Sequence, residues 1–216
     1  MTFRKAGISF ISVLIDALAV ALALKASVGI WPWDAMTQAI SLASTIKVGT
    51  IGMGLNALCV LIQIVVLRKE FEKSQILLQI LLLVIHGNAT NIFYYGLLGE
   101  VEVNGYPLRF AIFLLSLVMI SATAATLVAV KFVAYPLERA CLAVSAKTGW
   151  AFYKIRWGVD IAATAISVVV TLVWSCGWVV GIGTVVSMAL FSPLINILMK
   201  VFHKPYAKAG LIEEEI

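Results

Sequence analysis

Six stretches of the sequence are long and apolar enough to cross a lipid bilayer, and this feature limits the possible fold more than any other. A transmembrane helix needs about 20 mainly apolar residues. The stretches that meet this requirement are Gly7–Leu24, Thr50–Leu67, Ser74–Leu98, Leu108–Val130, Ile155–Trp174 and Trp178–Phe202. We therefore predict an all-α fold, a polytopic membrane bundle of six transmembrane helices.

The composition agrees with a chain that lies mostly in lipid. Hydrophobic residues make up 62% of the 216 residues and charged residues only 12%, about half the charged fraction of a typical soluble domain. The length suits a single integral membrane domain over residues 1–216. A net charge of +5 would point to nucleic acid in a soluble protein. Here the basic residues lie in short segments between the apolar stretches, so we expect no nucleic-acid partner.

The distribution of basic residues predicts how the bundle is oriented. Lysines and arginines precede the first apolar stretch, separate the second from the third and the fourth from the fifth, and follow the sixth. The other connections are poor in cations. Because cytoplasmic segments carry the excess of Lys and Arg, both termini are predicted to be cytoplasmic. The acidic run Glu213–Glu215 is interpreted as a solvated tail.

Two further segments, Trp31–Ile46 and Tyr135–Gly149, are too long for turns and too short to span a membrane. In each, an early proline is followed two residues later by an acid, Asp34 or Glu138, and then by a helical pattern. Proline suits the first turn of a helix, and an acid there meets the positive end of the helix dipole. We predict two short interfacial or re-entrant helices.

These two segments indicate an internal repeat at an offset of 104 residues. Pro32 then aligns with Pro136, Asp34 with Glu138, and the pattern continues to Asn56 and Asp160 on the following helices. The halves are residues 1–104 and 105–204, with a short tail over 205–216. Since each half crosses the membrane three times, the halves are predicted to form an inverted three-plus-three repeat, as in many transporters.

Several motifs resemble those of a bacterial membrane protein family. They are Lys25–Gly29 followed by Pro32–Asp34, a later Gly49, Gly181–Thr184 followed by Pro193, and Lys147–Gly149 with Arg156. In these features nearly the whole chain resembles the YczE-like proteins, which are related to the YitT/YyaS proteins. The resemblance implies a polytopic bundle in the bacterial cell membrane and a role in transport, without indicating a substrate.

Polar residues at membrane depth, at the short helices and at glycine-rich helix ends are the candidate site residues, because such groups usually face a bundle interior or a wet cavity. For substrate or ion binding we select Asp16, Lys25, Trp33, Asp34, Asn56, His86, Asn88, Asn91, Glu138, Arg156, Asp160, Gly183 and Thr184. No catalytic constellation and no metal motif is evident, and no cofactor is expected.

Each group of candidates also has a structural interpretation. Asp16 lies near the middle of the first helix, where it can couple transport to a proton or cation, or be a buried acid with a polar partner. The polar faces of the third helix can line a cavity or hold helices together. Asp160 can lie near the repeat axis or pair with Arg156, four residues earlier. We expect a cavity near the bilayer middle bordered by Asp16, Asn56, His86, Asn91 and Asp160.

The function favoured by this sequence is transport of a small polar or amphiphilic solute by a non-enzymatic membrane protein. The alternative is a substrate-binding membrane subunit of a vitamin-type (energy-coupling-factor) importer. Such a subunit depends on an ATPase module, and the small side chains of Ala17, Ala19, Ala21 and Ala23 could form the face that docks it. The partners expected are therefore lipid and a small solute, with a homodimer or an ATPase module as further possibilities.

Overall fold

The computed structural model describes residues 2–70 and 72–211, so the predicted acidic run Glu213–Glu215 lies outside the described residues. Within this part of the chain the fold is all-helical, with no strand. The eight α-helices are α1 Thr2–Ala26, α2 Pro32–Ser44, α3 Val48–Leu67, α4 Lys73–Asn91, α5 Tyr106–Val130, α6 Pro136–Thr148, α7 Phe152–Trp174 and α8 Ile182–Lys208. A 3-10 turn, Arg68–Glu70, follows α3, and a π-helical segment, Ile92–Leu97, extends α4.

Six of the described helices are long and apolar enough to cross a membrane, and they correspond to the six predicted stretches. Large apolar side chains such as Leu172, Val173 and Val185 are exposed on their outer faces, which fits a surface solvated by lipid tails. The last helix continues past the predicted end at Phe202 to Lys208, with Pro193 and Pro205 inside it. The first part of the predicted tail is therefore helical.

The bounds of the helices repeat at the offset of 104 residues found in the sequence. Thr2–Ala26 corresponds to Tyr106–Val130, and Pro32–Ser44 corresponds to Pro136–Thr148. Side-chain hydrogen bonds repeat as well. The Ser41 hydroxyl donates to the Ile46 carbonyl and that of Ser145 to the Trp150 carbonyl. The Ser44 hydroxyl donates to the Ile40 carbonyl and that of Thr148 to the Val144 carbonyl.

The two halves pack into each other, because the short helix of each half contacts a long helix of the other. Helix α1 packs on its repeat partner α5. The short helix α2 packs on α7 of the other half, and α6 packs on α3 in the same way. Contacts of α1 with α4 are matched by contacts of α5 with α8. Each half therefore inserts its short helix against a long helix of the other, and neither half has a separate core.

One pair of helices breaks this symmetry. Helices α3 and α4 pack closely where Gly49 meets the Gly87 carbonyl. Farther along, the Gln63 and Gln79 amides exchange hydrogen bonds of 2.8 and 3.1 Å in a fully buried position. Among the described residues, the equivalent helices α7 and α8 form no comparable contact. The first half is therefore closed between α3 and α4, whereas the second half is open between the equivalent helices α7 and α8.

The alanine stripe of the first helix faces the interior. Ala17, Ala19 and Ala21 are fully buried, and Ala23 is 1% exposed. These small side chains allow α1 to approach α5 and α4 closely. The stripe is therefore not available as a docking face for an ATPase module.

Candidate functional site

The short helices α2 and α6 begin inside the bundle and end at its surface. Pro32 and Pro136 are buried at their first positions, and each follows a residue with extended backbone, Trp31 or Tyr135. At the other ends the chain is exposed over residues 44–47 and 146–150. Proline is suited to this position because a first-turn N–H has no partner within the helix. Both prolines thus start a helix in the interior.

The interior ends of α2 and α6 meet a set of polar side chains that we call the central cluster. Charges on Asp16, His86 and Arg156 act on Asp34, and charges on Asp16, Asp34 and Glu138 act on Tyr135. Trp33 packs on an apolar cluster that includes Leu137 and Ala140 of α6, the helix that carries Glu138. The members of the central cluster are Asp16, Trp33, Asp34, His86, Tyr135, Glu138, Arg156 and Asp160.

On one side of the cluster, Asp16 pairs with His86. Asp16 Oδ2 lies 3.1 Å from His86 Nε2, and the Thr123 hydroxyl donates a 2.7 Å hydrogen bond to Asp16 Oδ1. The Tyr135 ring meets the His86 ring edge-on at 6.2 Å between centroids. Asp16 is thus a buried acid with polar partners, as one of the two sequence interpretations requires, and the pair joins α1 to α4.

On the other side, Arg156 joins two carboxylates. Its Nη1 donates a 2.6 Å hydrogen bond to Glu138 Oε1, and its Nε donates a 3.1 Å hydrogen bond to Asp160 Oδ2. The Asp160 contact is the i, i+4 pair anticipated from the sequence, whereas the Glu138 contact crosses from α7 to α6. Between 17% and 36% of each of these three side chains is accessible, so part of the group lies at the surface of the fold.

Besides His86 Nε2, which faces Asp16, four polar atoms in the cluster are buried without a hydrogen-bond partner. They are Trp33 Nε1, the Tyr135 hydroxyl, Glu138 Oε2 and Asp160 Oδ1. The Tyr135 hydroxyl lies close to Asp16 but outside hydrogen-bonding geometry. A buried polar group without a partner costs about 1–3 kcal/mol. Two donors and two acceptors are therefore left for something that is not part of the fold.

Asp34, the acid in the first turn of α2, lies outside the six long helices, and its pKa is raised. Burial raises the pKa of the Asp34 carboxyl from 3.8 to about 7, against the opposing effect of the nearby His86. Burial also raises the pKa of the Tyr135 hydroxyl well above its usual value. Near neutral pH the Asp34 carboxyl is accordingly divided between its protonated and its ionised form.

We expect the Asp34→Asn substitution to remove a pH dependence of stability. The pKa of this carboxyl is higher in the folded state, so its contribution to stability is present near pH 4 and is lost as the pH rises through about 7. Between about pH 5 and about pH 8, the wild-type Tm should fall relative to that of Asp34→Asn by several degrees, since 1 kcal/mol corresponds to about 2–4 °C. Thermal unfolding in detergent at several pH values measures this. Parallel curves for the two proteins would contradict the assignment.

Three asparagines selected from the sequence make their bonds elsewhere. The Asn91 side chain accepts from the Gly49 N–H at 2.8 Å and donates to the Thr50 hydroxyl at 3.1 Å, so it joins α4 to α3. Asn56 and Asn88 donate to carbonyls of their own helices, at Gly52 and Val84. Of the five residues expected to border one cavity, Asp16, His86 and Asp160 belong to the central cluster.

Gly183 and Thr184 form a packing joint at the start of α8. The Gly183 N–H donates a 2.8 Å hydrogen bond to the Val28 carbonyl, and the Thr184 hydroxyl accepts from the Gly181 N–H at 3.2 Å. Gly29 has φ +97°, and a Cβ built there would lie 2.6 Å from the Gly181 nitrogen. Glycine is needed in both segments, at Gly29 and at Gly181, for the backbones to approach this closely. The GIGT motif thus holds α8 against the segment that leads into α2.

Lys25 lies at a separate cavity of about 490 Å³ beside the π-helical segment. Its Nζ donates a 2.9 Å hydrogen bond to the Gly99 carbonyl and stands 5.3 Å from the centroid of the Tyr94 ring. Tyr95 also lines the cavity, and its hydroxyl accepts from the Val48 N–H at 3.1 Å. The cavity is lined by one end of α1 and the π-helical segment and contains no member of the central cluster.

Sequence reasoning did not select Tyr135, Thr123 or Gln63. Tyr135 carries a usable signal, because it is the repeat partner of Trp31 and immediately precedes the second proline. Thr123 and Gln63 carry none, since a single hydroxyl or amide in an apolar helix gives no indication of its partner. Gln63 also donates a 3.1 Å hydrogen bond to the Pro136 carbonyl and so fixes the interior end of α6.

Comparison with known proteins gives one family. Residues 3–200 match a family described as a family of unknown function (DUF6198). No curated protein and no solved structure matches the chain.

Proposed function

Because the chain belongs to this family of unknown function, its role has to be argued from its own residues, and we propose that it is a membrane transporter for a small polar or amphiphilic solute. The solute site in this proposal is the central cluster. The YczE-like character of the motifs forms part of the same proposal, as does a location in the bacterial cell membrane with both termini in the cytoplasm.

The observation that carries this proposal is that both short helices begin in the interior at one group of polar side chains. The internal repeat brings an acid, Asp34 or Glu138, from the first turn of each helix to one region, where His86 and Arg156 also lie. Discontinuous helices that end near the bilayer middle at a repeat interface are typical of transporters. Each of these charges is costly at membrane depth, and such residues usually mark a substrate or ion pathway, which favours a functional role beyond the structural one.

The arrangement of the halves supports movement of a solute through this site. If each half crosses the membrane three times, the halves lie in opposite orientations, and an access route through one has a counterpart through the other. The closed α3–α4 pair and the open α7–α8 pair are such counterparts. A site between them can be reached from one side at a time, as alternating access requires.

The test is an efflux measurement in which the solute need not be identified beforehand. Vesicles containing the purified protein are loaded with a bacterial small-molecule extract, and the solutes released are measured by mass spectrometry. We expect at least one solute to leave wild-type vesicles faster than protein-free vesicles. Asp16→Asn should slow this release roughly tenfold or more, since the loss of about 1.4 kcal/mol at a site is a tenfold effect.

The control is Asn88→Ala, on the same helix as His86. Asn88 is exposed and donates only to Val84 of its own helix and, weakly, to Met53. This variant should release the solute at the wild-type rate, and both variants should elute as folded protein. Release that is equal in wild-type and protein-free vesicles for every solute would refute the proposal.

A further inference from the structure

The charges of the central cluster do not balance. It contains four carboxyl groups, on Asp16, Asp34, Glu138 and Asp160, and one permanently charged cation, Arg156. His86 can add one positive charge. The positive ends of α2 and α6 offset about half a charge each. In a setting of low dielectric constant, the remaining negative charge favours a proton or a bound cation.

The atoms without partners indicate what kind of cation fits. Glu138 Oε2 and Asp160 Oδ1 are free acceptors on the two carboxylates that Arg156 joins. An ammonium group has three N–H donors and can bond both, in the way that the guanidinium bonds the other two oxygens. In the described residues, no three carboxylate, imidazole or thiol groups lie close enough together to hold a metal ion. Free acceptors on both carboxylates suit a cation with several N–H donors.

The side chains around these acceptors fit an organic group. Trp33 packs on the apolar cluster that contains Leu137, on the same helix as Glu138, and the Glu138 charge acts on Tyr135. The aromatic faces of Trp33 and Tyr135 attract cations. The Trp33 N–H and the Tyr135 hydroxyl are donors without partners, so a hydroxyl or carbonyl oxygen on the same molecule can be bound. Accessible fractions of 36% for the Glu138 side chain and 21% for that of Arg156 place part of this group at the surface of the fold.

We infer that the central cluster binds the ammonium group of a small organic amine between Glu138 and Asp160, so that the transported solute is a cation. This inference rests on the proposed function for its physiological meaning. It names the charge of the solute, which that function leaves open. The raised pKa of Asp34 agrees with it, since a proton on this carboxyl offsets the same negative charge that the ammonium group would otherwise neutralise.

The test uses three ligands of nearly equal shape and different charge, namely benzylammonium, benzyl alcohol and benzoate. Each is titrated into the purified full chain in detergent at constant ionic strength. Binding is followed by calorimetry and by the shift in Tm. Benzylammonium should raise the Tm in a saturable way by several degrees, and the other two should not. Benzyl alcohol also controls for partition into the detergent micelle.

Substitutions locate the site. Asp160→Asn and Glu138→Gln should each weaken benzylammonium binding about tenfold or more, since hydrogen bonds to charged groups contribute about 1.5–3 kcal/mol. Glu70→Gln, at a side chain 68% exposed and paired with Lys147, is the matched control and should bind as wild type.

Three results would overturn the inference. They are preferential binding of benzoate, a Tm increase that Na⁺ or K⁺ reproduces at the same concentration, and unchanged affinity in Asp160→Asn. If a carboxylate variant does not fold, the three-ligand comparison on the wild-type protein still decides. A failure here differs from a failure of the proposed function. Release of only neutral or anionic solutes in the efflux experiment would support transport but contradict an amine as the solute. Binding of benzylammonium without release of any solute would support the amine site but contradict transport.

Discussion

Replacing Arg156 by glutamine is expected to destabilise the folded protein by about 3–5 kcal/mol, the usual effect of removing one partner of a buried ion pair. The guanidinium donates to Glu138 and to Asp160, and both carboxylates already have one buried oxygen without a partner. Without Arg156 they would face each other in the interior with no permanent counter-charge. Equilibrium unfolding in mixed micelles measures the loss of stability.

Two further variants separate this effect from a general loss of charge. The Lys147–Glu70 pair is a salt bridge at the surface, with side chains 44% and 68% exposed, so Lys147→Gln should change stability by no more than about 1 kcal/mol. Combining Arg156→Gln with Glu138→Gln and Asp160→Asn removes all the charges together and should restore much of the stability. A loss below about 1 kcal/mol in Arg156→Gln would show that the three charges are well solvated.

Replacing Gly49 by alanine is expected to cost about 1–3 kcal/mol or more, as overpacking of a close contact does. The added methyl group would overlap the Gly87 carbonyl oxygen and lie 2.8 Å from Asn91 Oδ1. The Asn91 bond to the Gly49 N–H would then be lost, and α3 and α4 would separate. The change in Tm measures the loss of stability, and labelling of cysteines placed along the contact measures the separation.

Gly54 provides a matched control on the same helix. A Cβ at Gly54 would meet nothing within 4 Å, so Gly54→Ala should be neutral or stabilising by up to about 1 kcal/mol, the difference in helix propensity between the two residues. Equal Tm values for the two variants would mean that α3 and α4 can move apart without loss, and that the contact at Gly49 does not hold them together.

The fold could be predicted largely from local features of the sequence. The lengths of the apolar stretches predict the six long helices, because the backbone in lipid has to satisfy its own hydrogen bonds. A proline with an acid two residues later predicts the start of each short helix, and the alignment of Pro32 with Pro136 predicts the repeat. These signals are sufficient for the helices because each helix is specified by residues within its own segment, and for the repeat because the same pattern occurs twice.

The site could be predicted only in part. Spacing places His86 on one face of its helix, but it does not indicate that this face meets Asp16 on α1. The i, i+4 spacing does indicate the Arg156–Asp160 pair, whereas the bond from Arg156 to Glu138 depends on how α6 packs beside α7. Asn91 resembled a ligand-binding residue because it is polar and deep. The actual partners, Gly49 and Thr50, are apparent only once α3 lies against α4.

Under the proposed transport function, the unequal contacts of the repeated helices predict what a second conformation of this protein is. Two copies of one interface are present at once, tight between α3 and α4 and loose between α7 and α8. If each half took the conformation of the other, the α7–α8 interface would become tight and the α3–α4 interface loose. Helices α7 and α8 would then meet near Ser167 and Gly183, the repeat equivalents of Gln63 and Gln79, and these two glutamines would separate. Under that function, the present α3–α4 contact is the template for an α7–α8 contact in the second conformation, so the distances between α7 and α8 can be calculated before that conformation is observed.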